Sequence, residues 1–112
     1  MERPKVPAES RAAYDGLAAQ LTGGGGAIRG QMMGMPTLYA GGKAFAGLYG
    51  DAMVFKLEGP AHAAALALPG ASLFDPSGMG RPMKAWVRVP PEHAAQWPDL
   101  ASQARDAVRA GS

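Results

Sequence analysis

The residues best able to do chemistry in this chain stand on one parity of the run from Met83 to Val89: Lys84, Trp86 and Arg88, preceded by Arg81 and joined by Lys56 from an earlier apolar run. On a β-strand alternate side chains share a face, so an indole flanked by cations stands on one side of a sheet while Met83, Ala85, Val87 and Val89 stand on the other. Three fates suit such a face. The Trp can anchor a protein partner or a second copy of the chain, it can stack on a nucleic-acid base, or the Lys and Arg stems can lie over the ring and shield it from water. Shielding is the commonest of the three. Among functional uses, a protein partner or homodimer stands ahead of nucleic acid.

The segment Gly78-Met79-Gly80-Arg81 is the second candidate, because successive glycine amides beside a guanidinium can form a nest for a small anion. A tight loop ordered by Pro76 and Pro82 is the plainer reading. The glycine run 23 to 26 and the pair Gly42-Lys43 do not meet the P-loop pattern. The first follows a helix rather than a strand, and in the second Ala44 stands where the metal-binding hydroxyl belongs. His62 and His93 have no partner ligands at metal-binding spacing and read as surface residues. Asp51, Asp75 and Asp99 each sit at a turn or helix start, where a carboxylate caps backbone amides. Ser77 lacks a nucleophile-elbow context. The expectation is a non-enzymatic protein with no catalytic residues, no metal and no cofactor.

Composition bounds the rest. The chain has 112 residues with 11 basic and 9 acidic side chains, a formal net charge of +2 spread along its length, which is no nucleic-acid footprint by itself. It has no Cys, which removes disulfides and thiolate chemistry and fits a reducing compartment. Neither a leader pattern nor a membrane-length apolar window is present, so the expectation is cytoplasmic, with no membrane partner.

These candidates need a scaffold, and punctuation by Gly and Pro supplies its outline. Tyr14, Leu17, Ala18 and Leu21 recur at helical spacing and predict an amphipathic helix over 8–21, ended by the four glycines. An edge strand over 27–33 follows, then strands over 37–40 and 43–49 about Gly41-Gly42, a pair suited to a hairpin turn. Gly50-Asp51 returns the chain into a strand over 52–57, where Met53, Phe55 and Leu57 face a core. Pro60 opens a helix to about Leu68 with Ala61, Ala64, Ala65 and Leu68 as its stripe. A short extended piece over 71–74, the strand over 83–89 and a last helix from Pro98 to about Ala110 complete the order, the last helix burying Leu100, Ala104, Ala107 and Val108. This is one domain of α+β class: a two-layer, mostly antiparallel sheet with helices on one face, in the order α-β(3-4)-α-β(2)-α. The strand meander from Met32 to Leu57 is its platform.

The strings R-G-Q-M-M-G-M-P-T-L, G-K-A-F-A-G-L-Y-G-D-A-M-V-F-K-L and F-D-P-S-G-M-G-R-P-M-K-A-W-V-R-V-P together resemble the TfoX N-terminal domain-like family, over nearly the whole chain. Met33 stands where the family usually has Phe in its M-F-G motif, and Ala85 where close relatives often carry an acidic residue. The resemblance implies a two-layer α+β fold and a single-domain member without the C-terminal helical domain of the two-domain competence regulators. It implies a regulatory or protein-binding role and supplies no catalytic residues.

Overall fold

A computed structural model describes residues 5–24, 26–32, 34–80 and 82–110. Their elements are α1 (Ala8–Thr22), β1 (Ile28–Met32), β2 (Met35–Ala40), β3 (Lys43–Tyr49), β4 (Ala52–Lys56), α2 (Gly59–Leu66), β5 (Ser72–Phe74), β6 (Met83–Val89), a 3-10 turn (Pro91–Gln96) and α3 (Trp97–Arg109). Met33 and Arg81, both named above, lie outside the described residues. The strands form one antiparallel sheet in the order β1-β2-β3-β4-β6-β5, so the α+β architecture follows the expected order closely.

Local chemistry explains the boundaries. Gly41 and Gly42 both take positive φ, 59° and 79°, as a tight hairpin between β2 and β3 requires. Gly23 closes α1 with its amide on the Ala19 carbonyl, and Thr22 bonds the Ala18 carbonyl through its hydroxyl. α3 begins at Trp97, one residue before Pro98, and buries Trp97, Leu100, Ala101, Ala104 and Val108. Ala107, expected in that stripe, is only half-buried, because the buried arc turns toward Trp97 and Ala101.

The helices cover one face. Tyr14, Leu17, Ala18 and Leu21 of α1 and the buried side of α3 meet Leu38, Phe45, Leu48, Met53, Phe55, Val87 and Val89 in the principal core. The burial of α2 is slighter than its alanine stripe suggests: only Ala65 is fully buried.

The other face is not open. Met35, Val54, Phe74 and Trp86 form a second buried cluster there, with Met32, Ala44, Tyr49 and Met83 packed against it. Tyr49 of β3 and Phe74 of β5 meet edge to face with ring centroids 4.9 Å apart. On a flat sheet their strands would stand three spacings of about 4.8 Å apart, beyond the reach of two rings. The sheet must therefore curl, concave on this side. Two irregularities bend it. Phe45 is the extra residue of a bulge, since Leu38 pairs Ala46 while Tyr39 pairs Ala44. On the other side Leu73 pairs Val87, yet Phe74 pairs Met83 instead of Trp86. That slip corrects the simple parity of β6. Met83 joins the Trp86 cluster instead of the Val87 side, and Ala85 is exposed.

Glycines let the concave face close on itself. A Cβ on Gly47 would lie 2.9 Å from Met35 Cε, and one on Gly30 would lie 2.9 Å from Tyr39 Cε1, so each absence of a side chain makes room for a neighbour lying flat on the backbone.

Candidate functional site

The stripe on β6 is largely occupied by the protein's own groups. Trp86 is 6% exposed and belongs to the buried apolar cluster, so its ring offers no platform for a base or a partner's side chain. Arg88 donates to Asp51 Oδ1 at 3.1 Å and is half-buried. Lys84 is exposed, and Lys56, which pairs Trp86 across the ladder, is half-buried. Lys56, Trp86 and Arg88 share the concave side, but the anchor expected among them is interior. Asp51 is also used differently: its carboxylate holds Arg88, and its carbonyl accepts the buried Ser10 hydroxyl at 2.7 Å, tying α1 to the β3–β4 turn.

The glycine loop carries its own anion. Asp75 Oδ1 accepts from the Gly78 amide at 3.1 Å and the Ser77 hydroxyl at 2.8 Å, and Asp75 Oδ2 accepts from the Gly80 amide at 3.0 Å. The Ser77 hydroxyl accepts in turn from the Met79 amide. The Gly78 and Gly80 amides thus converge on a carboxylate, and that carboxylate is internal. Arg81, the cation proposed beside it, lies outside the described residues. Met79 at the loop tip is 77% exposed.

Both histidines stitch elements together. His62 Nε2 lies 2.8 Å from the Lys84 carbonyl, joining α2 to β6, and His93 Nε2 lies 2.8 Å from the Pro69 carbonyl. At these carbonyls each Nε2 must donate, so the rings act as half-buried braces more than as free surface residues. Asp99 sits in the first turn of α3, where its charge suits the helix dipole without a side-chain cap bond. Among the described residues, no group of three His, Cys, Asp or Glu is placed to hold a metal, and no helix is long and apolar enough to cross a membrane.

A different locality remains unfilled. β1 is the last strand on its side of the sheet, its residues Ile28 to Gln31 are exposed, and Ile28 reaches 69% exposure. Pro36 faces Gln31 across the β1–β2 ladder. A proline has no N–H, and it belongs opposite a residue whose own N–H and C=O turn away from that ladder. By the same alternation Arg29 turns its polar groups outward, while Ile28, Gly30 and Met32 bond to β2. Tyr39 lies over Gly30 and donates to the Gln31 carbonyl at 2.9 Å, capping one acceptor of the free edge. The Arg29 N–H and C=O and the Gln31 N–H still face outward.

Beside that edge, on the helix-covered side, an open groove of about 250 Å³ runs between α1 and β1, lined by Arg11, Tyr14, Arg29, Gly30, Gln31 and Pro36. Asp15 joins its two guanidiniums: Arg29 Nη2 lies 2.7 Å and Arg11 Nε 3.3 Å from Asp15 Oδ1. The guanidinium carbons stand 5.4 Å (Arg29) and 6.0 Å (Arg11) from the Tyr14 ring centroid, within cation–π range. The hydrogen bond from Arg29, aided by Arg11, holds the Asp15 carboxyl below the usual aspartate range. Burial pushes the Tyr14 phenol up, and the two arginines partly oppose that shift. The Tyr14 hydroxyl is buried without a hydrogen-bond partner among the described residues.

None of the known proteins compared accounts for this site. Family models, curated proteins and solved structures give no match to the chain. The site therefore stands on its own geometry. Sequence reasoning passed over it because Arg11, Tyr14, Asp15 and Arg29 come from two elements, and nothing in their spacing brings them together. The available signal was the i, i+4 pair Arg11 and Asp15 beside a helix Tyr, with a lone Arg on a strand read as an edge.

Proposed function

We infer that this protein is a non-enzymatic binding module of the regulatory kind suggested by its TfoX N-terminal-like motifs, and that it takes an extended segment of a partner protein by strand addition at β1. The observation that carries this reading is the free edge: Ile28 is exposed at 69%, with outward backbone groups on Arg29 and Gln31. Soluble domains usually blunt such edges with short strands, bulges or charges. β5, at the opposite edge, is blunted in this way, with three residues and a slipped register. β1 is longer, in register throughout, and places an isoleucine where an added strand would cover it.

The test uses a peptide library displayed on phage, selected on the wild-type chain and counter-screened on Gln31→Pro. That substitution deletes an outward N–H while leaving the β1–β2 ladder its bonds. The expected result is a family of extended peptides that bind the wild type and lose Gln31→Pro. Peptides that bind both proteins equally, and are lost instead on Lys56→Glu, would return the function to the concave face.

A further inference from the structure

We propose that the groove between α1 and β1 selects acidic partners: a carboxylate side chain of the added strand seats between Arg11 and Arg29. This rests on the strand-addition reading and adds the chemistry of the segment recognised. Three observations converge on it.

The first is charge. Two guanidiniums share one carboxylate, leaving a net positive charge in a groove that opens beside the free edge. The second is donor supply. An arginine has five N–H groups, and Asp15 engages only Nε of Arg11 and Nη2 of Arg29. Among the described residues, the terminal nitrogens of Arg11 and the Nε and Nη1 of Arg29 have no other hydrogen-bond partner and can bond an incoming carboxylate. Tyr14 lies against both guanidiniums and limits the positions they can take.

The third is register. Arg29 pairs Leu38, whose side chain lies in the principal core, so Arg29 and Gln31 stand on the helix-covered side of β1. Ile28 and Gly30 stand on the concave side, opposite Tyr39 and Thr37. Side chains directly opposite one another on paired strands have Cβ atoms about 5 Å apart. A residue facing Arg29 on an added strand therefore projects toward the groove, and its neighbours in sequence project toward Ile28. The recognised segment alternates, acidic on one parity and apolar on the other. Its carboxylate shares the guanidiniums with Asp15 without requiring the clamp to open, since separate nitrogens serve each.

The probes are three ten-residue peptides of alternating valine and threonine, with two adjacent threonine positions replaced by glutamate in one, glutamine in the second and lysine in the third. Binding is followed by amide and arginine side-chain NMR signals. The glutamate peptide should shift the Arg29 and Gln31 amides together with the Arg11 and Arg29 Nε–H signals. It should bind about tenfold more tightly than the glutamine peptide, as charge-assisted hydrogen bonds allow, and the lysine peptide should bind most weakly. Arg11→Gln, which leaves the Arg29–Asp15 contact in place, should erase the preference for glutamate with an unchanged melting temperature. Equal affinities for the three peptides, with shifts at the Arg29 and Gln31 amides, would overturn the acidic selectivity and leave strand addition standing. Absence of shifts at those amides with every peptide would overturn both.

Discussion

β6 and β1 each set basic charge beside a large apolar side chain, Lys84 and Arg88 by Trp86 and Arg29 by Ile28, and the fold treats them oppositely. β6 lies between β4 and β5, so both its edges are paired and its Trp86 is closed in by residues from several strands. Among the described residues no strand lies beyond β1, and its Ile28 is exposed. The difference comes from position in the sheet and from curvature. A concave face gathers side chains over its middle strands, whereas an edge strand escapes that cover. An interior Trp stabilises the fold; an edge Ile with outward amides is available to something else.

The contrast breaks most easily at Trp86. Trp86→Ala removes the largest side chain of the second cluster and should cost about 3–5 kcal/mol of stability, measured by urea unfolding. A variant of unchanged stability that loses a selected partner would mean that the ring serves recognition after all. Gly47→Ala probes the same cluster more gently. Its new Cβ would meet Met35 Cε and, at 3.3 Å, the Pro36 carbonyl, and a loss of about 1–3 kcal/mol is expected for such overpacking. An unaltered melting temperature would show that Met35 does not lie closely over Gly47.

Two smaller effects sharpen the other side of the contrast. Tyr14→Phe removes a buried hydroxyl that has no partner among the described residues while keeping the ring against both arginines. Stability should stay level or rise by up to about 1 kcal/mol, and a clear loss in thermal unfolding would reveal a bond made by that hydroxyl. The smallest effect is the pH dependence of the Asp15 clamp. Because Arg29 and then Arg11 lower the folded-state pKa of Asp15, its contribution is present above the ordinary aspartate range and fades as pH falls through the lowered value. The stability difference between wild type and Asp15→Asn should shrink in that acid window. Both partners are exposed, so the effect is small.

Much of this architecture was legible in the chain. Gly41-Gly42 marked the hairpin, Tyr14 to Leu21 marked the face of α1, and alternation in β4 marked the principal core, because each is a local pattern with a local cause. Three things were hidden by being non-local. The slip at Phe74 moved Met83 to the other side of the sheet; the curl that brings Tyr49 to Phe74 buried Trp86; and the Arg11–Asp15–Arg29 group depends on where α1 docks. The loop at Gly78 was half legible: its glycines mark a tight turn, but only the folded geometry turns Asp75 back onto their amides.

Hydrogen exchange at β1 tests the central claim most directly. In the free chain the Arg29 and Gln31 amides should exchange fast while that of Gly30, bonded to β2, is protected, and a selected peptide should slow the first two by at least about tenfold with little change along β6. Protection of Arg29 and Gln31 in the free protein, or peptide-induced protection confined to β6, would contradict the assignment of the free edge as the binding surface.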